Sequence, residues 1–488
     1  MAKMLIDGQW VAASDGGEIA VLNPSNGEPI DTVPAGTDVD AARAVAAAVR
    51  AKTAMAAMPA HKRASILTRV AARMEAERTA LVRLLNLENG KTFREVNGWE
   101  IDAAIRIFRG YAEEAKRLNG HAVPLHSIPN LENSMAFTVY QPLGVIAVII
   151  PFNYPVELWS HKLGAGLAAG NAVISKPPED CPLTMLQIAR YFEEEGLPAG
   201  AHQIVTGYGE VVGAHLAQSP DVQLISMTGS TEVGKLIARA AADTLKKVHL
   251  ELGGNDATII MGDVDPEIAA DALVAGRFTS GNGQICCAVK RVLIEDSIFD
   301  LVRDAVLART TRLKVGDHTL PDTDVGPLIN EKAAKRVEAQ VAQAVTDGAT
   351  LICGGTRQGN FIQPAVLANV NIDSAAFQDE IFGPVLPLVR FKGVDEAIRL
   401  ANQSRYGLQA AIFTNDMKAA MNAAMKLEVG TVIVNHQSAM RIECLPFGGI
   451  KNSGNGREGF METVKDMSEV KTVVLKDAYS VYDAPASC

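Results

Sequence analysis

The chain has 488 residues, more than one hydrophobic core fills, so at least two domains are expected. Hydrophobic residues at 48% and charged residues at 21% exclude a disordered chain, and 41 Gly and 22 Pro exclude a collagen-like or low-complexity one. With 46 Lys and Arg against 56 Asp and Glu, a net charge of −10 and no basic block, neither nucleic acid nor an anionic membrane is an expected partner. The opening residues, MAKMLIDGQWVAASDGG, carry no apolar core of signal-peptide length. The longest apolar runs are strand-length, far short of the ~20 residues of a membrane helix. The six cysteines, at 181, 286, 287, 353, 444 and 488, include no CxxC pair. Neither a disulfide framework nor a metal site is expected, and a reduced, cytoplasmic chain fits.

Residues 38–116 carry Ala, Glu, Arg and Leu at helical spacing, with Ile66, Val70, Met74 and Leu81 in one stripe. Over 120–141 the pattern shortens to alternation, Phe137, Val139 and Tyr140 falling between Ala136, Thr138 and Gln141, which predicts a hairpin or ribbon. Residues 144–150, GVIAVII, are continuously apolar, as a parallel strand covered on both faces is. The turn PFNYP and a helix over 156–169 follow, then strands at 172–175, 203–205, 222–227 and 248–252. A helix over 232–242 places Val233, Leu236, Ile237 and Ala240 on one face. Repeated βα units predict a doubly wound α/β sheet. A second αβ region is predicted from 257 to 434, with strands at 258–261, 292–295, 361–366, 386–391 and 411–414. The β-rich stretch 470–476 has no local partner, so it is expected to pair with the 120–141 ribbon or with another subunit.

Ligands of an open α/β sheet sit at the carboxyl ends of its strands. No GxGxxG is present. The nearest glycine turns are Gly207-Tyr208-Gly209 with Gly213, and Gly229 with Gly234. Each follows a strand and opens a helix, where free N–H groups favour anions, although glycine in such a turn is more often structural. Cys286 lies in Ser280-Gly281-Asn282-Gly283-Gln284-Ile285-Cys286-Cys287. A cysteine is usually a small buried hydrophobe, but this lead-in is loop-like and opens a thiol to approach. One of the two cysteines is a candidate nucleophile, and sequence physics does not choose between them. Glu251 lies near the end of the 248–252 strand, with His249 on the face opposite Val248, Leu250 and Leu252. A carboxylate there is either a salt-bridged structural group or a general base of raised pKa. Asn153, between Pro151 and Pro155, is either a turn-forming residue or an amide donor to an oxyanion.

Seven segments stand in order: PFNYP at 151–155, SKPPE at 175–179, MTGSTEVG at 227–234, LELGGND at 250–256, GNGQICCAVKR at 281–291, EIFGPVLP at 380–387 and PFGGIKNSGNGRE at 446–458. Through them the chain resembles the aldehyde dehydrogenase superfamily over essentially its whole length. The resemblance implies an α/β, aldehyde dehydrogenase-like fold. A Rossmann-like dinucleotide-binding domain is expected over 1–121 and 142–253, and a catalytic domain over 254–467. A bridging β element of 122–141 and 468–488 is expected to make a homodimer or homotetramer. By the same resemblance Cys286 matches the nucleophile, Glu251 the general base and Asn153 the oxyanion donor. Cofactor contacts are implied at Ile149; at Lys176 and Glu179, on the adenosine ribose; at Gly209, Gly229 and Ser230, on the pyrophosphate side; and at Glu380 and Phe382, on the nicotinamide side. Lys162 and Glu458 match a secondary proton-relay pair.

The implied reaction oxidises a small-molecule aldehyde to the carboxylate through a cysteine thiohemiacetal and thioester. A CoA-acylating enzyme and a non-catalytic structural homologue are the alternatives. Glu251 speaks against the first, because a base is needed chiefly for hydrolysis. Cys286, Glu251 and Asn153 together speak against the second. A carboxylate at Glu179 accepts from a free 2′-hydroxyl and repels a 2′-phosphate, so NAD is expected over NADP, although Lys176 could serve either. The expected substrate is a small semialdehyde or hydroxyaldehyde. Ile285 stands where relatives acting on phosphorylated or phosphonate aldehydes often carry Arg. Arg441, Arg106 and His161 remain as candidates for positive charge at the entrance, with Glu157 and Trp159 on the bordering helix. Single residues of this kind more often face solvent or pack.

Overall fold

The structure, a computed structural model, describes residues 2–479; residues 480–488, with Cys488 and the end of the expected bridging element, lie outside them. The helical N-terminal region consists mainly of Asp38–Ala57, Ala60–Ala76, Arg78–Asn89 and Ile101–Glu114. Thr37 starts the first of these with a reciprocal cap: its hydroxyl accepts from the Asp40 N–H, and the Asp40 carboxylate accepts from its own N–H. The stripe Ile66, Val70, Met74 and Leu81 is buried as its spacing requires.

The first sheet has seven strands in the order Lys247–Glu251, Leu224–Thr228, Val145–Ile149, Ala172–Lys176, His202–Ile204, Met4–Ile6 and Gln9–Val11. The first five are parallel, and Met4–Ile6 adds antiparallel at the far side. From Val145–Ile149 the chain lays two strands to one side, then returns to the other. Strand order therefore reverses between Val145–Ile149 and Leu224–Thr228, which opens a crevice at their carboxyl ends.

The second sheet runs Thr350–Cys353, Ala365–Ala368, Val385–Phe391, Arg291–Glu295, Ala257–Ile260, Gln409–Phe413 and Thr431–Val434, parallel except for the first strand. A third, antiparallel sheet joins Ser468–Leu475, Met135–Pro142 and Ala122–Val123. The C-terminal strand thus finds a partner in its own chain, in register from Ser468 opposite Pro142 to Leu475 opposite Met135.

The α/β reading holds, with local differences. The expected strand over 361–366 splits at Pro364, which has no N–H to give a ladder. Phe361–Ile362 pairs with Arg357–Gln358, while Ala365–Ala368 joins the second sheet. Thr350–Cys353 and Thr431–Val434, the two edges of that sheet, have apolar runs too short to stand out in the sequence. The hairpin Glu18–Leu22/Pro29–Pro34 was likewise not expected. Among the described residues no helix is long and apolar enough to cross a membrane.

Candidate active site

Two cavities share a wall. One, about 370 Å³, opens over the strand-order reversal and is lined by Thr228, Gly229, Ser230, Glu380 and Phe382 among others. The other, about 340 Å³, is lined by Glu95, Trp99, Tyr154, Glu157, Ile285 and Arg441 among others. Asn153 and Cys286 line both. Cys287 lines only the second and is 3% exposed.

The loop that presents Cys286 is tied down from three sides. Asn282 adopts a left-handed backbone (φ 52°). Its side chain donates to Gly90 O (2.9 Å) and Pro327 O (3.0 Å) and accepts from Gly326 N (2.7 Å). Gly281 N donates to the Glu95 carboxylate at 2.8 Å. A Cβ on Gly283 would stand 2.6 Å from the Gly383 backbone, so only glycine lets these segments approach. On the C-terminal side Lys290 Nζ donates to Cys286 O (2.5 Å) and Gly254 O (2.8 Å) and pairs with Glu380. The Cys287 thiol beside it lowers the Cys286 pKa; burial opposes this, and the charges of Lys290 and Arg441 add to the lowering. Cys287 is pushed well above the usual thiol range by its contact with Cys286 and by burial.

Asn153 sits on a turn held by buried polar groups. Lys91 Nζ donates to Asn153 O (2.5 Å) and pairs with Glu100, which accepts from Val156 N (2.9 Å) at the start of the helix Pro155–Ala169. Asn89 Nδ2 donates to Phe152 O (2.5 Å). The Asn153 amide donates to Gln284 O (3.0 Å), while its Oδ1 is buried without a partner. None of Asn89, Lys91 and Glu100 was singled out by the sequence reading, because their partners lie about 50 to 65 residues away or carry no motif.

Glu251 is 2% exposed, and neither carboxylate oxygen has a hydrogen-bond partner. Burial, reinforced by the charge of Glu458, pushes its pKa well above the usual range, while Lys162 and Arg441 work against this. The segment after Gly448 lies along the strand that carries Glu251. Leu252 N donates to Ser453 O (3.0 Å), Leu250 N to Asn455 Oδ1 (3.0 Å) and Arg457 N to His249 Nε2 (3.0 Å). This pairing delivers buried Glu458, which binds Lys162 on one oxygen and Arg441 on the other (2.5 Å). Burial alone would raise Glu458, but Lys162 and Arg441 hold it well below the usual carboxylate range.

Of the expected cofactor residues, Gly229, Ser230, Glu380 and Phe382 line the crevice, while Ile149, Lys176, Glu179 and Gly209 lie outside that lining. Lys176 Nζ stands 2.9 Å from Glu179 Oε1. A Cβ on Gly209 would lie 3.8 Å from that same oxygen, and one on Gly213 would lie 3.8 Å from Ile149 Cδ1 and 3.9 Å from Lys176 Cδ. Ser230 Oγ accepts from Val233 N (3.3 Å) and caps the helix Thr231–Ala242 beside Gly229. Glu380 accepts from Gly254 N (3.3 Å), and the Phe382 ring meets Phe152 edge-on at 6.0 Å. Thr228 lines this cavity, and its hydroxyl is buried without a partner. A glycine-floored cradle, a helix N-terminus and an unpartnered hydroxyl fit a dinucleotide.

Three residues expected near the entrance are not brought there. Arg106 pairs with Glu443 (2.5 Å) and covers the Trp99 ring, outside the cavity lining. His161 is buried against Tyr111 OH (3.2 Å), and burial pushes its pKa down to about 3, so it carries no charge. Trp159 packs against Phe108 and Phe192 and donates to Ser175 Oγ (2.8 Å). At His161 and Trp159 packing won, since the helix Pro155–Ala169 is buried on every side and turns its polar residues inward as well, whereas Arg106, on Ile101–Glu114, stays exposed in a surface ion pair. Arg441, Glu157 and Ile285 do line the outer cavity.

The sequence profile of the aldehyde dehydrogenase family matches residues 10–473. The 3-sulfolactaldehyde dehydrogenase of Priestia aryabhattai is 40% identical over 473 residues, 97% of each chain. Among solved structures, an NADP dependent enzyme of E. coli superposes with a TM-score of 0.94 at 36% identity, covering 97% of this chain and 98% of its own. The NAD+ complex of an aldehyde dehydrogenase from Bacillus cereus gives 0.94 at 34% identity, covering 98% and 96%. The chain belongs to the aldehyde dehydrogenase family. It is an oxidoreductase that acts on aldehydes.

Proposed function

We propose that this chain oxidises a small semialdehyde or hydroxyaldehyde to its carboxylate with NAD, with Cys286 as nucleophile, Asn153 as oxyanion donor and Glu251 as base. The observation that carries the reading is the wall shared by the two cavities. Cys286 and Asn153 face the crevice over the strand-order reversal on one side and a small, largely apolar cavity on the other. A group that must meet both substrate and cofactor belongs there.

Cys286 is the better nucleophile of the pair because its thiolate is favoured while that of Cys287 is opposed. Its sulfur adds to the aldehyde carbon, and the carbonyl oxygen becomes an alkoxide. The Asn153 amide, which now donates to Gln284 O, and the Cys286 backbone N–H would be the donors to that charge; one such donor is typically worth about 3 kcal/mol. A bound nicotinamide supplies the hydride acceptor, leaving a thioester on Cys286. Ile149, Lys176, Glu179, Gly209, Gly229 and Ser230 would hold its adenosine and pyrophosphate portions, and Glu380 and Phe382 its nicotinamide end. Lys290 fixes Glu380 and the Cys286 carbonyl together, so the two ends of the reaction share one anchor. Glu251, with both oxygens free of protein donors, then takes a proton from water as the water attacks the thioester.

NAD is favoured over NADP by Glu179. Two like charges ~4 Å apart cost about 4 kcal/mol at an effective dielectric of 20, and the Lys176 contact at 2.9 Å offsets part of it. A preference of tenfold or more, about 1.4 kcal/mol, is expected. Glu179→Ser should raise kcat/KM for NADP relative to NAD. A wild-type enzyme that uses both equally overturns this assignment. The overall reading is tested by following reduced nicotinamide over a panel of aldehydes, with and without CoA. Carboxylate should form in step with NADH and no acyl-CoA should accumulate; an inert protein or an acyl-CoA product rejects the reading.

A further inference from the structure

Once an aldehyde is attached to Cys286, the rest of the molecule lies in the outer cavity, so the charges lining that cavity meet its tail. Arg441 is the one Lys or Arg among the described lining residues, and on its own it would attract an anion. It does not stand on its own. Its Nη2 is 2.5 Å from Glu458 Oε2, and its Nε is 3.6 Å from Glu157 Oε1. Glu157 lines the same cavity, and its other oxygen accepts from Trp99 Nε1 (3.1 Å). Burial raises the Glu157 pKa and the charge of Glu100 adds to this, while Arg441, the Trp99 N–H and Lys91 work toward the carboxylate form on which the inference depends. The Arg441 and Glu157 side chains are 12% and 4% exposed, so little water screens them. A third carboxylate, Glu95, also lines the cavity.

Resting on the aldehyde-oxidising reading above, we propose that Glu157 is a specificity-determining residue. By facing Arg441 it cancels the positive charge of the outer cavity, and it selects uncharged, hydroxylated aldehydes over those ending in a carboxylate or sulfonate. An anionic tail meets a guanidinium already flanked by two carboxylates, and it is repelled by Glu157 at close range. A hydroxyl tail can instead donate to Glu157 Oε1.

The test compares 4-hydroxybutanal with succinic semialdehyde, which match in length and differ only in the charge of the tail. Wild-type kcat/KM should favour the hydroxyaldehyde at least tenfold. Glu157→Gln should shift the ratio of the two values toward the semialdehyde by tenfold or more, and Glu157→Asp should restore the wild-type order. A purely structural role would lower both values together and leave the ratio in place. A ratio that moves less than threefold in Glu157→Gln, or a wild-type preference for the semialdehyde, overturns the proposal. Should Glu157→Gln fail to fold, Glu157→Asn serves as the neutral variant. The wild type also gives an answer alone: succinate should inhibit hydroxyaldehyde oxidation no more strongly than succinamide, and markedly stronger inhibition by succinate overturns the proposal. Absence of NADH with both aldehydes and with the wider panel instead defeats the aldehyde-oxidising reading itself, and this inference with it.

Discussion

Cys286 and Cys287 are chemically identical and adjacent, yet their surroundings divide them. Cys286 borders both cavities and its thiolate is favoured, while Cys287 borders only the outer one, is nearly fully buried in the apolar cluster with Ile285, Ala288, Leu408 and Phe447, and has its thiolate opposed. Cys286→Ala should abolish aldehyde oxidation while calorimetry still detects NAD binding. Cys287→Ala removes little volume and, although it takes away the largest lowering contact on Cys286, leaves Lys290 and Arg441 in place, so turnover should persist with its pH profile moved toward higher pH. A reversed pair of outcomes moves the nucleophile to Cys287. At Glu251 the raised pKa has a consequence for stability as well as rate. The folded state holds a proton on this carboxylate at pH values where the unfolded chain has lost it, so stability falls as pH rises from about 4.5 toward the raised folded value. Glu251→Gln removes that term. Its Tm should exceed that of the wild type at alkaline pH, with the gap closing toward pH 5. In rapid mixing the same variant should give a burst of NADH followed by slow turnover, because Gln cannot accept the proton of water. A variant that is less stable than wild type at every pH, or that turns over steadily, counts against Glu251 as the buried base.

The 281–286 loop is where sequence and long-range structure divide the work. The run Gly-Asn-Gly-Gln announced a loop and an accessible thiol from local pattern alone. What holds the loop was not readable, because Gly90, Pro327 and Gly326 meet Asn282 across separations of 192, 45 and 44 residues. No periodicity reports a contact of that range. Asn282 also supplies a left-handed backbone that Asn tolerates and Ala does not. Asn282→Ala therefore loses three hydrogen bonds and gains strain, for an expected destabilisation of about 3 kcal/mol. Asn282→Gly relieves the strain and should recover part of it. Denaturant melts of the two variants check this, and equal stability of Ala and wild type would show that the clamp is slack. Turnover should fall in both variants, since a loosened loop lets Cys286 drift from Asn153.

At the scale of the whole molecule, the parallel strands were legible because burial on both faces writes itself as an unbroken apolar run. The expected 144–150 strand matches Val145–Ile149, and the 386–391 strand matches Val385–Phe391, each to within a residue or so. The edges were less legible, and the 470–476 stretch left two partners open. The third sheet takes it up within the chain, yet only on one side: Ser468–Leu475 ends the order of that sheet and keeps Val470, Val474 and Leu475 at 50%, 58% and 44% exposed. A long strand with an open edge and apolar side chains invites another copy of the chain. The second sheet also ends in an open edge at Thr431–Val434. We therefore expect a homodimer or homotetramer built through this ribbon. Sedimentation at micromolar concentration should give at least a dimer. Val474→Lys places a charge in the ribbon, with no part in either cavity, and should weaken association by about a hundredfold, roughly 2.7 kcal/mol. The dissociated protein should melt at a lower and concentration-dependent temperature. A wild-type chain that sediments as a monomer, or a Val474→Lys variant that assembles as tightly as wild type, assigns the contact to another surface.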